Sequence, residues 1–178
     1  MVQALNLLTN RVARLRQAVY VQPLCAELNS PKKLASSLPS EQSWNMAGAT
    51  ILYADDDPND IFFAERAFAK AGMEVTLRAV ESGQAAVDYL SKVLKPGAGG
   101  NNGLPRLVLL DIKMPGLDGF EVLKWIRSRR ELKFLPVVML SSSTLQSDKD
   151  KAWSLGANEY LSKQTLYPEL PDLVKPWL

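Results

Sequence analysis

From Ala49 onward the chain alternates short apolar runs with stretches whose apolar positions recur at helical spacing, the pattern of a parallel sheet covered by helices on both faces. The runs Thr50–Ala54, Val75–Val80, Leu107–Leu110, Val137–Leu140 and Glu159–Leu161 read as five strands. Leu107–Leu110 is continuously apolar, as a central strand buried on both faces requires. Asn59 or Asp60 can cap a first helix whose apolar positions include Ile61, Phe62, Phe63 and Phe68 and which closes at Gly72. Ser82 caps a second helix through about Leu94, with Ala86, Val87, Leu90 and Leu94 available for burial. A Gly/Asn-rich loop, Lys95–Pro105, precedes the third strand. A third helix is predicted over Gly119–Arg130 and a fourth over Ser147–Leu155, stopped by Gly156. Pro168, Pro171 and Pro176 crowd the final segment and predict a short, irregular terminal element, because prolines at the last two sites break hydrogen bonds inside a helix.

Upstream of this pattern the chain reads differently. Leu5, Leu8, Val12, Leu15 and Val19 recur at helical spacing beside Arg11, Arg14 and Arg16, with no acid before Glu27. Arg-rich, acid-poor amphipathic segments serve membrane surfaces or organelle targeting, and the plainer expectation is a loosely attached extension. Residues 29–45, rich in Ser, Pro and Lys, read as a flexible linker. Met46 stands just before the compact pattern, so a start assigned too far upstream gives the same sequence. The expected division is an extension and linker over residues 1–45 and one working domain over residues 46–178.

Composition narrows the chemistry. The 178 residues are 47% hydrophobic and 22% charged, ordinary for a globular fold. With no histidine, the chain has no histidine triad, no histidine-ligated zinc or haem and no phosphohistidine of its own. Cys25 is the single cysteine and has no internal partner, so a reducing, cytoplasmic setting is expected. No apolar run approaches the ~18 residues of a membrane span. The formal charge of +2 is uneven: residues 1–45 carry five Lys and Arg against two acids, and residues 46–178 sixteen against seventeen. Neither half has the basic stripe interleaved with aromatics that nucleic-acid binding uses.

In an open parallel sheet, function gathers at the carboxyl ends of the strands. Asp55, Asp56 and Asp57 follow the first strand, Asp111 ends the third, Ser141 ends the fourth and Lys163 follows the fifth. Crowded carboxylates repel one another unless a cation joins them, and a hard, oxygen-preferring ion such as Mg²⁺ suits the need. A metal-bound carboxylate beside a hydroxyl and a lysine fits phosphoryl transfer to an aspartate, a nucleophile that needs no base. The plainer reading makes Asp57, which Pro58 follows, and Asp118 helix N-caps, Lys163 a surface lysine and Tyr160 a half-buried strand aromatic.

Four segments in order, ILYADDDP (51–58), LDIKMPGLDG (110–119), PVVMLSS (136–142) and GANEYLSK (156–163), resemble the receiver domain of bacterial two-component response regulators. The resemblance implies an α/β, doubly wound, flavodoxin-like fold of five parallel strands in the order 2-1-3-4-5. It also implies a signalling switch rather than an enzyme, with Asp111 accepting a phosphoryl group from a sensor histidine kinase or phosphotransfer protein. Asp55 and Asp56 match the acidic pair that holds Mg²⁺, with Asp111 and the Lys113 main-chain carbonyl as further ligands. Ser141 matches the hydroxyl that bonds the phosphoryl group, Lys163 the lysine that pairs with it, and Tyr160 the aromatic switch residue. Lys113 and Ser143, each two residues beyond a site residue, flank the path of hydrolytic water; a long cation at Lys113 implies slow self-dephosphorylation.

The sequence departs from the family pattern at Gln164, where receivers carry a proline whose cis bond directs the lysine inward, in its proline-rich final segment, and in residues 1–45. The long loop and the Asp-Asp-Asp-Pro-Asn-Asp opening resemble single-domain regulators associated with bacterial phytochrome kinases, so a phytochrome-type kinase is an expected partner. The downstream protein target and homodimerisation stay open. Two alternatives differ in class: a docking module that takes no phosphate, resting on Gln164, and an Mg²⁺-dependent aspartyl-phosphate phosphatase, which lacks the Asp-x-Asp-x-Thr or Val signature after the first strand and the chain for a cap.

Overall fold

β3, Leu107–Asp111, is buried along its whole length and carries the sheet on both sides. β1 (Ala49–Ala54) and β4 (Val137–Ser141) pair with it in parallel, β2 (Val75–Val80) lies outside β1 and β5 (Glu159–Ser162) outside β4. The order is β2-β1-β3-β4-β5, as expected from the sequence, and the fold is flavodoxin-like. The computed structural model describes residues 48–95 and 103–178, so the expected amphipathic segment, the linker, Met46 and the middle of the Gly/Asn-rich loop lie outside the described residues.

The two faces of the sheet are sorted by strand parity. Ile51, Tyr53, Leu107, Leu109, Val138 and Leu140 point to one side, where α1 (Pro58–Lys70) and α5 (Leu166–Val174) bury Ala64, Phe68, Leu166, Leu170 and Val174. Leu52, Ala54, Val108, Leu110, Val137 and Met139 point to the other, against α2 (Gly83–Val93), α3 (Gly119–Ser128) and α4 (Gln146–Ser154). Since side chains alternate along a strand, Asp55 and Asp111 continue the α1/α5 face, and Ser141 the opposite one.

Several boundaries differ from the sequence expectation. α1 is capped by Asp57, which accepts from the Asn59 N–H at 2.9 Å, so Asn59 and Asp60 fall inside the helix rather than capping it. Pro58 at the first helical position loses no bond there. Phe62 and Phe63 are 51% and 49% exposed, because the face of α1 turned to the sheet is set by Ala64 and Phe68. α3 ends at Ser128, followed by a 3-10 turn over Arg130–Leu132.

The largest correction is the terminal segment. α5 is a regular nine-residue helix with Pro171 inside it. Leu166, Leu170 and Val174, four residues apart, bury one stripe against the sheet. Each contributes about 1.5–3 kcal/mol, which outweighs the roughly 3 kcal/mol of an interior proline. Pro168 sits in the first turn, where its missing N–H has no partner to lose.

The carboxyl edge of the sheet is drawn tight by one glycine. Gly119 opens α3 and its N–H donates to the Ile112 carbonyl at 3.0 Å. A Cβ on Gly119 would stand 2.1 Å from the Asp111 carbonyl oxygen, so only glycine lets the helix start this close to the end of β3. Asp118 caps the same helix, accepting from the Glu121 N–H at 2.8 Å while Glu121 accepts from the Asp118 N–H at 3.1 Å. At the opposite edge, Arg127 donates to the Gly156 and Leu135 carbonyls and to Asn158 Oδ1, each at 2.9 Å.

Candidate functional site

β1 and β3 are neighbours at the point where strand order reverses, and their carboxyl ends deliver Asp55 and Asp111 side by side. Asp55 is fully buried, Asp111 is buried and Asp56 is exposed. Each of the three offers an oxygen within 4.8 Å of the others. Three hard carboxylates at that spacing, one of them open to solvent, fit a divalent cation such as Mg²⁺.

Lys163 enters this cluster from the end of β5. Its Nζ lies 2.7 Å from Asp111 Oδ1, 2.7 Å from Asp55 Oδ2 and 2.8 Å from Asp60 Oδ2. The inward position is reached with Gln164, not proline, at the next residue, and Gln164 itself is exposed. Burial pushes the ammonium down, but hydrogen bonds to Asp111, Asp55 and Asp60 outweigh it and hold Lys163 above its ordinary range, fully cationic. For Asp111 burial wins: the carboxyl is held above the usual carboxylate range although Lys163 and the Lys113 backbone pull it down. Asp55 also accepts from the Tyr53 hydroxyl at 2.7 Å and from the Asp57 N–H at 3.1 Å, besides Lys163.

The second half of the site lies on the α4 side. Ser141 ends β4 and is buried; its Oγ accepts from the Ser143 N–H at 2.9 Å. Tyr160 pairs with Met139 across β4 and β5, is 8% exposed, and donates its hydroxyl to the Ser143 carbonyl at 2.9 Å. Ser143 thereby joins the two. Lys113 is exposed, two residues beyond Asp111, and Asp57 and Asp118 are helix caps.

Two residues in the cluster were not anticipated from the sequence. Asp60 looks there like a helix-capping acid; in the fold it sits in the first turn of α1 and reaches Lys163. Tyr53 looks like a core strand residue, but it lies two positions before Asp55, on the same face, and that parity is the signal that could have found it. Burial and the neighbouring Asp55 push its hydroxyl far up, so it stays a donor.

Residues 51–175 match the response regulator receiver domain family. This chain is a receiver domain. The receiver is 36% identical over 125 residues to a probable methanogenesis regulatory protein, FilR2, of Methanothrix harundinacea (strain 6Ac), covering 70% of this chain and 78% of that one. Among solved structures it resembles the phosphorylated cyanobacterial phytochrome response regulator RcpA, with a TM-score of 0.61 and 32% identity over 72% of this chain and 90% of that one. It also resembles the Mn²⁺-bound form of response regulator Rcp1, with a TM-score of 0.59 and 30% identity over 71% and 89% of the two chains. Receiver domains act in two-component phosphorelay signalling, and among the described residues no helix is long and apolar enough to cross a membrane.

Proposed function

We propose that this receiver takes a phosphoryl group on Asp111 from a phosphohistidine of a sensor histidine kinase or phosphotransfer protein, and that the modification switches a protein contact. The observation that carries the reading is the convergence of Asp55, Asp56, Asp111 and Lys163 on one edge of the sheet. A carboxylate oxygen of Asp111 bonds to phosphorus as the donor's P–N bond breaks, and the donor imidazole leaves with that electron pair. The product is an acyl phosphate. Asp55, Asp56, Asp111 and the Lys113 main-chain carbonyl would hold Mg²⁺, which supplies charge neutralisation for the transferred oxygens. Lys163 adds a second cation at Asp111, and Ser141 a hydroxyl donor once its oxygen turns from the Ser143 N–H. The likeness to a Mn²⁺-bound and to a phosphorylated regulator supports this assignment.

Residues 46–178 are the proposed working unit, acting in the cytoplasm, and residues 1–45 an added segment. A phytochrome-type kinase is the proposed donor, on the likeness to phytochrome regulators. The test is intact-mass analysis after incubation with acetyl phosphate. Wild type should gain one phosphoryl group with Mg²⁺ and none with EDTA. Wild type that stays unmodified with both acetyl phosphate and a competent kinase contradicts the reading.

A further inference from the structure

The carboxylates that Lys163 touches coincide only in part with those of the cation cluster. The cluster is Asp55, Asp56 and Asp111, whereas the lysine rests on Asp55, Asp60 and Asp111. Asp60 is the one partner of Lys163 that stands outside the cluster. It approaches from the first turn of α1, 21% exposed on its side chain. A divalent cation and a phosphoryl group draw on oxygens of Asp55 and Asp111, the same two residues that now hold two of the lysine's three contacts. Before a phosphoryl group is there to pair with it, a flexible ammonium that loses those partners to a cation turns toward solvent.

The chain after the lysine gives it little direction. Lys163 opens a 3-10 turn over Lys163–Thr165, and Gln164 is exposed with no hydrogen bond to the pocket. Tyr167 lies beside Asp60 and Lys163, and its ring packs at a 43° tilt against Phe63 with centroids 5.5 Å apart.

We propose that Asp60 is a positioning residue that keeps Lys163 beside Asp111 while a cation engages Asp55 and Asp111, before a phosphoryl group is there for the lysine to pair with. This role rests on the phosphoacceptor reading above, and its test separates the two. Full-length wild type, Asp60→Asn, Asp60→Glu, Lys163→Gln and the Asp60→Asn/Lys163→Gln double variant are labelled with acetyl phosphate and Mg²⁺. Asp60→Asn should slow labelling by about tenfold, the loss of one charge-assisted hydrogen bond. Asp60→Glu should recover to within about threefold of wild type. In the Lys163→Gln background, Asp60→Asn should change nothing further, because its effect travels through the lysine.

A second readout needs no phosphate. The protected ¹⁵N ammonium signal of Lys163, assigned by its loss in Lys163→Gln, should survive saturating Mg²⁺ in wild type and vanish in Asp60→Asn under the same conditions. Equal slowing in both lysine backgrounds, or an ammonium signal that persists in Asp60→Asn with Mg²⁺, overturns the proposal. If wild type takes phosphate from neither acetyl phosphate nor a competent kinase, the phosphoacceptor reading fails, and the ammonium signal still decides the role of Asp60.

Discussion

The hydroxyl of Tyr160 donates to the main-chain carbonyl of Ser143 across 2.9 Å. The N–H of the same Ser143 donates to Ser141 Oγ, so the strand-end hydroxyl and the aromatic ring are joined through one peptide segment. A shift of Ser141 toward a phosphoryl group removes the acceptor of the Ser143 N–H and frees the loop that holds Tyr160. Two discrete arrangements of this link are what phosphorylation would bias.

Tyr160→Phe deletes the hydroxyl and keeps the ring. The variant should lose about 1 kcal/mol in urea unfolding, the net worth of one hydrogen bond. Hydrogen exchange at the Ser143 and Leu145 amides should quicken relative to the rest of the sheet. Unchanged exchange at both amides would mean that the hydroxyl does not anchor this loop.

Asp111 makes a prediction about pH. Burial holds its folded-state pKa above the ordinary carboxylate value, which is the unfolded one. Such a group favours the fold while protonated, below the ordinary carboxylate range, and that contribution is lost as pH rises through the folded value. At neutral pH in EDTA, Asp111→Asn should therefore be more stable than wild type. The gap should close as pH falls through the carboxylate range. Adding Mg²⁺ at about a hundredfold above its Kd should return about 2.7 kcal/mol to wild type and less to the variant. Thermal unfolding at several pH values, with and without the metal, measures all three.

Much of this was legible in the sequence, and the exceptions have physical causes. Strand identity followed from the apolar runs, strand order was implied by the receiver resemblance that four motifs carry, and Asp55, Asp56, Asp111, Ser141 and Lys163 could all be named in advance. Asp60 could not, because an acid in the first turn of a helix already has a local explanation in the helix dipole. Its reach to Lys163 spans 103 positions of sequence and exists only in the folded chain. α5 departs from the sequence expectation for a related reason: a rule about prolines counts the broken backbone bond but not the buried stripe of Leu166, Leu170 and Val174 on a distant sheet. The proline that directs this lysine inward in the family pattern is Gln164 here, and three carboxylates hold Lys163 inward instead.

Gly119 ties the helix start to the acceptor strand. Gly119→Ala places a methyl 2.1 Å from the Asp111 carbonyl oxygen, which is backbone and cannot step aside. The expected loss is about 1–3 kcal/mol, together with slower labelling by acetyl phosphate as the end of β3 is displaced. Gly116→Ala is the contrast: φ is +78° but no atom lies within 4 Å of the added methyl. It should cost about 1 kcal/mol from backbone conformation alone. Equal labelling rates for Gly119→Ala and wild type would contradict the steric account.

Lys113 is exposed two residues past Asp111, where a long cation can pair with phosphoryl oxygens and obstruct in-line water. Lys113→Asn should shorten the lifetime of the phosphorylated protein, followed as decay of the added mass after excess acetyl phosphate is removed. Decay no faster than wild type would assign Lys113 no part in the lifetime.

The most direct test is chemical location of the acyl phosphate. Borohydride reduction converts an aspartyl phosphate to homoserine, which peptide mass mapping reads at a single position. After labelling with acetyl phosphate and Mg²⁺, homoserine is expected at position 111 and at no other aspartate. Homoserine at position 55, 56 or 60 instead, or none anywhere in protein that has gained a phosphoryl mass, would contradict Asp111 as the acceptor.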